Sequence, residues 1–164
     1  MPHQVLVTSD THVPDFAKAL PAALLDAATR ADLILHAGDV TSTVVLERLS
    51  GLAPTRVALG NNDRPEIATW GGEEVVRLEL DGISIAMLHD AGPRASRERR
   101  LLGRFGDTDL VVFGHSHIPM LTELGGRRFL NPGSPTWKRR QPAPTYATIV
   151  VDGHRARIRI VALP

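Results

Sequence analysis

Seven side chains able to ligate a metal follow closely on short apolar runs in this chain. Val5-Leu6-Val7 leads to Asp10 and His12, Leu33-Ile34-Leu35 to Asp39, and Val57-Ala58-Leu59 to Asn61. Ile85-Ala86-Met87-Leu88 leads to His89, and Leu110-Val111-Val112-Phe113 to His115 and His117. Two carboxylates, an amide and four imidazoles are a donor set for divalent transition metals. Each group has a plainer reading when taken alone. Asp10-Thr11-His12 fits an Asx-turn, His115-Ser116-His117 fits packing or surface, and Gly38-Asp39 and Gly60-Asn61-Asn62-Asp63 are built of turn-forming residues. Independent turns need not collect seven donors at five strand exits. The conjunction therefore predicts a metal site along one sheet edge, at the carboxyl ends of strands, where open α/β sheets bind their ligands.

The elements that must position these donors are legible in outline. His3 to Thr8, Asp32 to Leu35 and Arg56 to Leu59 read as strands. Between them a helix starts at Pro21 and runs through Thr29, and a second, capped by Ser42 or Thr43, ends at Leu49 before Gly51. This β-α-β-α-β order implies parallel pairing with right-handed crossovers. After Gly71-Gly72 the pattern changes to hairpins. Glu74 to Leu80 and Ile83 to Leu88 flank Asp81-Gly82, a favoured two-residue hairpin turn. A helix from about Ala95 to Phe105 follows, then strands Asp109 to Phe113, Met120 to Leu124, Arg127 to Leu130, Tyr146 to Val151 and Arg155 to Val161. These hairpins are too many for one parallel sheet, so the expected fold is mixed α/β with two sheets.

At 164 residues the chain is expected to form a single domain, residues 1–164, large enough to bury a core without staples. Hydrophobic content of 43% and charged content of 23% are those of a soluble globular protein, and no apolar run approaches membrane-spanning length. A first strand beginning at His3 leaves no room for a signal or transit segment, so the expected compartment is cytoplasmic. Without cysteine, thiolate metal sites are excluded. A net charge of +1 gives no nucleic-acid or membrane signal. The arginine clusters Arg94-Arg97-Arg99-Arg100-Arg104 and Lys138-Arg139-Arg140 read first as a solvated helix face and a solvated loop, with a phosphate-binding role open for one or two of them.

Taken in order, Asp10-Thr-His12, Gly38-Asp39, Gly60-Asn61-x-Asp63, His89 and Gly114-His115-Ser-His117 resemble the motif set of the calcineurin-like metallophosphoesterases. The short length and Asn131-Pro132-Gly133-Ser134 are similar to the small single-domain phosphodiesterase group (YfcE-like) of that superfamily. The resemblance implies a four-layer α-β-β-α sandwich of two mixed sheets around a dinuclear centre. It assigns Asp10, His12, Asp39 and His117 to one divalent ion and Asp39, Asn61, His89 and His115 to the other, with Asp39 bridging. It further implies phosphodiester hydrolysis by a metal-bridging hydroxide, formed between two cations about 3.5 to 4 Å apart. Imidazole-rich ligation disfavours Ca²⁺ and a dedicated Mg²⁺ site; Mn²⁺ is the first expectation, with Fe, Ni, Co or Zn as alternatives.

Asp39, Asn61, Asn62 and Asp63 are the expected catalytic group. Many superfamily members carry a histidine, acting as general acid, where this chain has Asn62, which cannot donate in that way. Asp63, His36 and metal-bound water are the candidate donors that remain. Asp90, where the family usually has Gly, reads either as a carboxylate orienting a ligand histidine or as a turn residue. His36 is expected beside the site without ligating, and Trp137 as packing that could border the substrate cleft. The expected substrate is a small organic or nucleotide-like phosphate ester, and a homo-oligomer is left open. Two rivals stand beside phosphodiesterase activity. One is a phosphomonoesterase, including a phosphoprotein phosphatase, on the same metal core; the other is a non-catalytic scaffold like the retromer subunit of this fold.

Overall fold

In the computed structural model, which describes residues 1–164, ten strands form two five-stranded sheets. The first carries β1 (His3–Thr8), β2 (Leu33–His36), β3 (Thr55–Val57), β9 (Thr145–Asp152) and β10 (Arg155–Ala162), in the order β10-β9-β1-β2-β3. The second carries β4 (Val76–Leu80), β5 (Ile83–Met87), β6 (Leu110–Val112), β7 (Met120–Leu124) and β8 (Arg127–Asn131), in the order β4-β5-β6-β8-β7. Strands β1, β2 and β3 pair in parallel, as their helical crossovers require, and so do β5, β6 and β8. Three hairpins and the long-range pairing of β1 with β9 supply the antiparallel pairs, so both sheets are mixed.

Alternation along the strands builds the layers. Val5 and Val7 of β1 face Ile85, Met87 and Val112 of the second sheet in the core between the sheets, whereas Leu6 turns the other way. Leu6, Ile34 and Val57 are covered by α1 (Ala22–Ala28), α2 (Thr43–Ser50) and α3 (Pro65–Trp70), through Leu24, Leu46, Leu49 and Ile67. On the far side, Ala86, Val111 and Phe129 meet Leu101 of α4 (Arg97–Arg104) and Phe105. The result is the four-layer α-β-β-α sandwich, and burial of the central strands on both faces explains why they read as continuous apolar runs.

Local chemistry sets the boundaries. Ser42 caps α2 by accepting from Val44 N–H at 3.2 Å, and Gly51 follows its end. At the β4–β5 turn Asp81 and Gly82 both take positive φ, 48° and 79°, as a tight hairpin demands. The sequence reading missed α3, although Pro65 at its start, Glu66 in its first turn and Gly71 after its end are ordinary helix signals. Six residues are too few to display a periodicity. Helix α4 begins two residues later than expected because Ser96 is left-handed, φ 56°, and cannot be helical.

Candidate metal centre

All seven candidate donors lie just beyond strand ends where the two sheets meet. Asp10, His12, Asp39 and Asn61 leave the first sheet after β1, β2 and β3; His89, His115 and His117 leave the second after β5 and β6. The loops are laced together: Asp10 N–H donates to Gly38 O at 2.9 Å, His12 N–H to Asp39 O at 3.2 Å, and Gly114 N–H to His89 O at 3.0 Å. Asp10, His12, Asp39, His115 and His117 all adopt left-handed backbone, with φ from 44° to 74°. Asp and His tolerate that region better than most residues, but each still costs about 1 to 3 kcal/mol.

Three glycines permit the closeness of the loops; a Cβ on Gly114 would overlap Ser9 Oγ and lie 2.7 Å from Asp10 Oδ2. A Cβ on Gly60 would overlap the Asp39 carboxylate and backbone nitrogen, and one on Gly38 would lie 2.6 Å from His89 Nδ1.

The donors gather as two clusters sharing a carboxylate, Asp10 with His12 and His117, and Asp10 with Asp39 and His89. His117 Nε2 lies 3.5 Å from Asp10 Oδ1, while Asp39 Oδ2 lies 3.5 Å from His12 Nε2 and 3.3 Å from His89 Nε2. Asp39 thus stands between a histidine of each expected half. Asn61 Oδ1 is 3.0 Å from both His89 Nε2 and His115 Nδ1, at the exposed rim.

Three of the buried donors, His89, His117 and Asp10, are held by hydrogen-bond partners. His89 Nδ1 meets Ala37 O at 2.7 Å and His117 Nδ1 meets Trp137 O at 2.8 Å. A carbonyl can only accept, so each ring is protonated at Nδ1 and turns Nε2 toward the carboxylates. Asp10 Oδ2 accepts from Ser9 Oγ at 2.6 Å and from His115 N–H at 3.0 Å. Its Oδ1, with His12 Nε2 and His117 Nε2, is buried and has no hydrogen-bond partner. Three orphaned donor atoms turned into one space are costly for a protein to keep. They are accounted for by a cation, and the residues fit one.

The electrostatics agree. Burial lowers His12, and lowers His117 to about 4, so both imidazoles are neutral and ready to ligate. Burial raises Asp10 to about 6, against the lowering effects of His89 and Ser9. For Asp39 burial acts upward but is outweighed by the contacts of His89 and Asn62, which hold it below the usual carboxylate range. His89 is the counterpart: burial lowers it, but Asp39 and Asp10 together push it up to about 9. A proton on His89 balances the two carboxylates, and a cation would take its place.

The remaining sequence candidates have definite surroundings. Asn62 holds Asp39, donating from its backbone N–H to Oδ1 and from Nδ2 to Oδ2, both at 2.8 Å. Asp63 accepts from the N–H groups of Gly60, Thr41 and Asp39 at 2.8 to 3.0 Å, so its carboxylate ties together the loops that carry Asp39 and Asn61. Both have the geometry of positioning residues. His36 is fully buried; its Nδ1 accepts from Gly38 N–H, leaving the Nε2 proton for Thr11 Oγ1 at 2.9 Å, and burial lowers it to about 3. Its one ring proton is engaged by Thr11 rather than turned toward a leaving group. Asp90 accepts from Gly92 N–H at 2.8 Å and is a turn residue.

In the arginine clusters, Arg97 and Arg100 are occupied by carbonyls of the loop before α4, at Gly92 and at Ala91, Pro93 and Ala95, rather than free for phosphate. Sequence reasoning passed over Ser9, Thr11 and Thr136. Ser134 and Thr136 donate to Asp10 O and Thr11 O at 2.8 and 2.6 Å, which fixes the first ligand loop. The Asn131-to-Ser134 motif was the available signal for that clamp.

Comparison with known proteins places the arrangement. Residues 4–154 match the family model of the calcineurin-like phosphoesterase superfamily domain. A probable metallophosphoesterase of Methanothermobacter thermautotrophicus is 37% identical over 160 residues, covering 94% of this chain and 90% of the relative. Vacuolar protein sorting 29 from Cryptosporidium parvum superposes with a TM-score of 0.86 at 22% identity, over 99% of this chain and 92% of its own. The same protein from Entamoeba histolytica, in a structure complexed with zinc, superposes with a TM-score of 0.77 at 25% identity, over 97% and 98%. The chain with these donors at its strand ends belongs to the calcineurin-like phosphoesterase superfamily.

Proposed function

We propose that this chain, as one metallophosphoesterase domain over residues 1–164, is a dinuclear metal-dependent phosphodiesterase acting on small organic or nucleotide-like phosphodiesters. The observation that carries the reading is the set of buried, unpartnered donor atoms, Asp10 Oδ1, His12 Nε2 and His117 Nε2, beside the Asp39–His89 pair. Asp10, His12, Asp39 and His117 would hold one ion and Asp39, Asn61, His89 and His115 the other. Mn²⁺ is the first choice, and the zinc complex of the Entamoeba relative keeps Zn²⁺ among the alternatives. Bound ions of this kind polarise phosphoryl oxygens and make water nucleophilic near neutral pH.

The protein's own groups do the positioning. Ala37 O and Trp137 O fix the tautomers of His89 and His117, and Asn62 keeps the Asp39 carboxylate from rotating. No side chain here is poised as a general acid: Asn62 is an amide, His36 is turned to Thr11, and Asp63 is bound to three amides. Substrates whose leaving groups depart without protonation are therefore favoured. The test is hydrolysis of bis(p-nitrophenyl) phosphate, beside p-nitrophenyl phosphate, by chelated protein and after reloading with Mn²⁺ or Zn²⁺. The reading requires turnover of the diester that disappears on chelation and returns with metal; faster turnover of the monoester would favour a phosphomonoesterase.

A second reading, a protein-binding scaffold, is favoured by the likeness to vacuolar protein sorting 29. It predicts no turnover of either ester by fully metallated protein. The complete donor set argues for catalysis.

A further inference from the structure

Beside the His12 and His117 half of the centre stands a wall of rings. Phe16 and Trp137 stack with centroids 3.9 Å apart and planes 17° from parallel. Trp137 is edge-on to His12 at 5.4 Å and to His117 at 5.1 Å, and the Arg139 guanidinium lies 4.7 Å from its ring centroid. Phe16 is edge-on to His12 at 5.6 Å, and its backbone N–H donates to His12 O at 2.8 Å. Trp137 is thus covered by neighbours and acts as the pillar, whereas Phe16 is 60% exposed, unusual for a residue whose type is otherwise buried in this chain. An aromatic ring held flat by a second ring, with an open surface next to metal-ligand candidates, has the form of a stacking platform. Arg139, lying over the Trp137 ring, adds a positive charge to this wall.

We propose that Phe16 is the platform on which a planar aromatic group of the substrate, a nucleobase or aryl ring, stacks, and that Arg139 supplies positive charge to the adjoining phosphate. The inference rests on the phosphodiesterase reading and deepens it by giving the substrate class. Stacking of a base on an aromatic side chain is sequence-tolerant, because every base has a π-face. The site would consequently select for aromatic character more than for one base.

The experiment is calorimetric titration of manganese-loaded protein with adenosine 5′-monophosphate, phenyl phosphate and methyl phosphate, which share one phosphate chemistry and differ in the ring. The wild type should bind the adenosine ester about tenfold more tightly than methyl phosphate. Phe16→Leu, which keeps an apolar cover over Trp137, should abolish that preference, and Phe16→Tyr should keep it. Arg139→Gln should weaken all three ligands alike. Phenyl phosphate separates the two sources of an aromatic ring: binding as tight as the adenosine ester points to any aryl group, and weaker binding points to a nucleobase. A wild type that does not prefer aromatic esters, or a Phe16→Leu protein that still does, overturns the platform; an Arg139→Gln protein with unchanged affinities overturns the role of the arginine. Absence of diester turnover with the preference intact would count against the phosphodiesterase reading alone, and turnover without the preference would count against the platform alone.

Discussion

Asp39 is the residue assigned to both ions of the proposed centre; its Oδ2 faces His12 Nε2 and His89 Nε2, while Asp10 Oδ1 faces His12, His89 and His117. Asp39→Asn keeps the shape and removes the charge, so it should damage metal stoichiometry and turnover more than Asn61→Ala or His12→Ala. An Asp39→Asn protein that retains two ions and near-normal turnover would refute the bridging role. Asn62→Ala acts only through Asp39 and should cost about 10- to 100-fold in metal affinity or activity, the usual effect of removing a partner that orients a ligand. Acid should oppose loading in a defined window. His89, raised from 6.5 to about 9, holds a proton that a cation must displace, whereas His12 and His117 are lowered and already neutral. Metal affinity should therefore rise about tenfold per pH unit from neutral pH and level off above about 9, with release of about one proton per loaded centre. Titration in buffers of different ionisation enthalpy counts that proton, and an affinity flat across the window would contradict it. The donors could be read from the sequence because each follows an apolar run at short distance. Their supports could not: the partners of His89 and His117 are backbone carbonyls, which every residue has, and the two hydrogen bonds from Asn62 to Asp39 depend on loops that meet only in the fold.

Among the elements, the strands were legible because β1, β2, β5 and β6 are buried on both faces and so are written as unbroken apolar residues. The α4 arginines are solvated as expected, Arg99, Arg100 and Arg104 being exposed, but nothing in the sequence signals that Arg100 also binds three carbonyls of a neighbouring loop. The loop after β3 packs closely against the Asp39 loop. Gly60 needs no unusual φ; it is required because the Asp39 carboxylate fills the space a Cβ would take. Gly60→Ala should push Asp39 out of place and lower metal affinity at least as much as Asn62→Ala. Ser42→Ala, which removes the α2 cap on the same sheet, should instead cost about 1 kcal/mol of stability and leave metal affinity unchanged. Metal titration and denaturant unfolding of the two variants separate a positional effect from a general loss of stability, and a Gly60→Ala protein with normal metal affinity would show that the loop can yield.

At the scale of the whole molecule, the proposed centre joins two sheets that otherwise meet through an apolar core. Asp10, His12, Asp39 and Asn61 come from the first sheet, and His89, His115 and His117 from the second, so ions held among them would be cross-links between the halves of the sandwich. The five left-handed candidate ligand residues store strain that such cross-links would help to offset. A ligand that binds only the folded state stabilises it by mass action, by about 2.7 kcal/mol per site at a free concentration a hundredfold above its dissociation constant. For a chain of this size that corresponds to about 5 to 10 °C in melting temperature. Melting should therefore rise on loading with Mn²⁺ or Zn²⁺ and fall on chelation, and the shift should shrink sharply in Asp39→Asn. The variant is the informative control, because weak binding of metal to surface carboxylates would shift wild type and variant alike. Equal shifts in the two proteins would mean that the ions do not bind between the sheets, and the proposed centre would have to be abandoned.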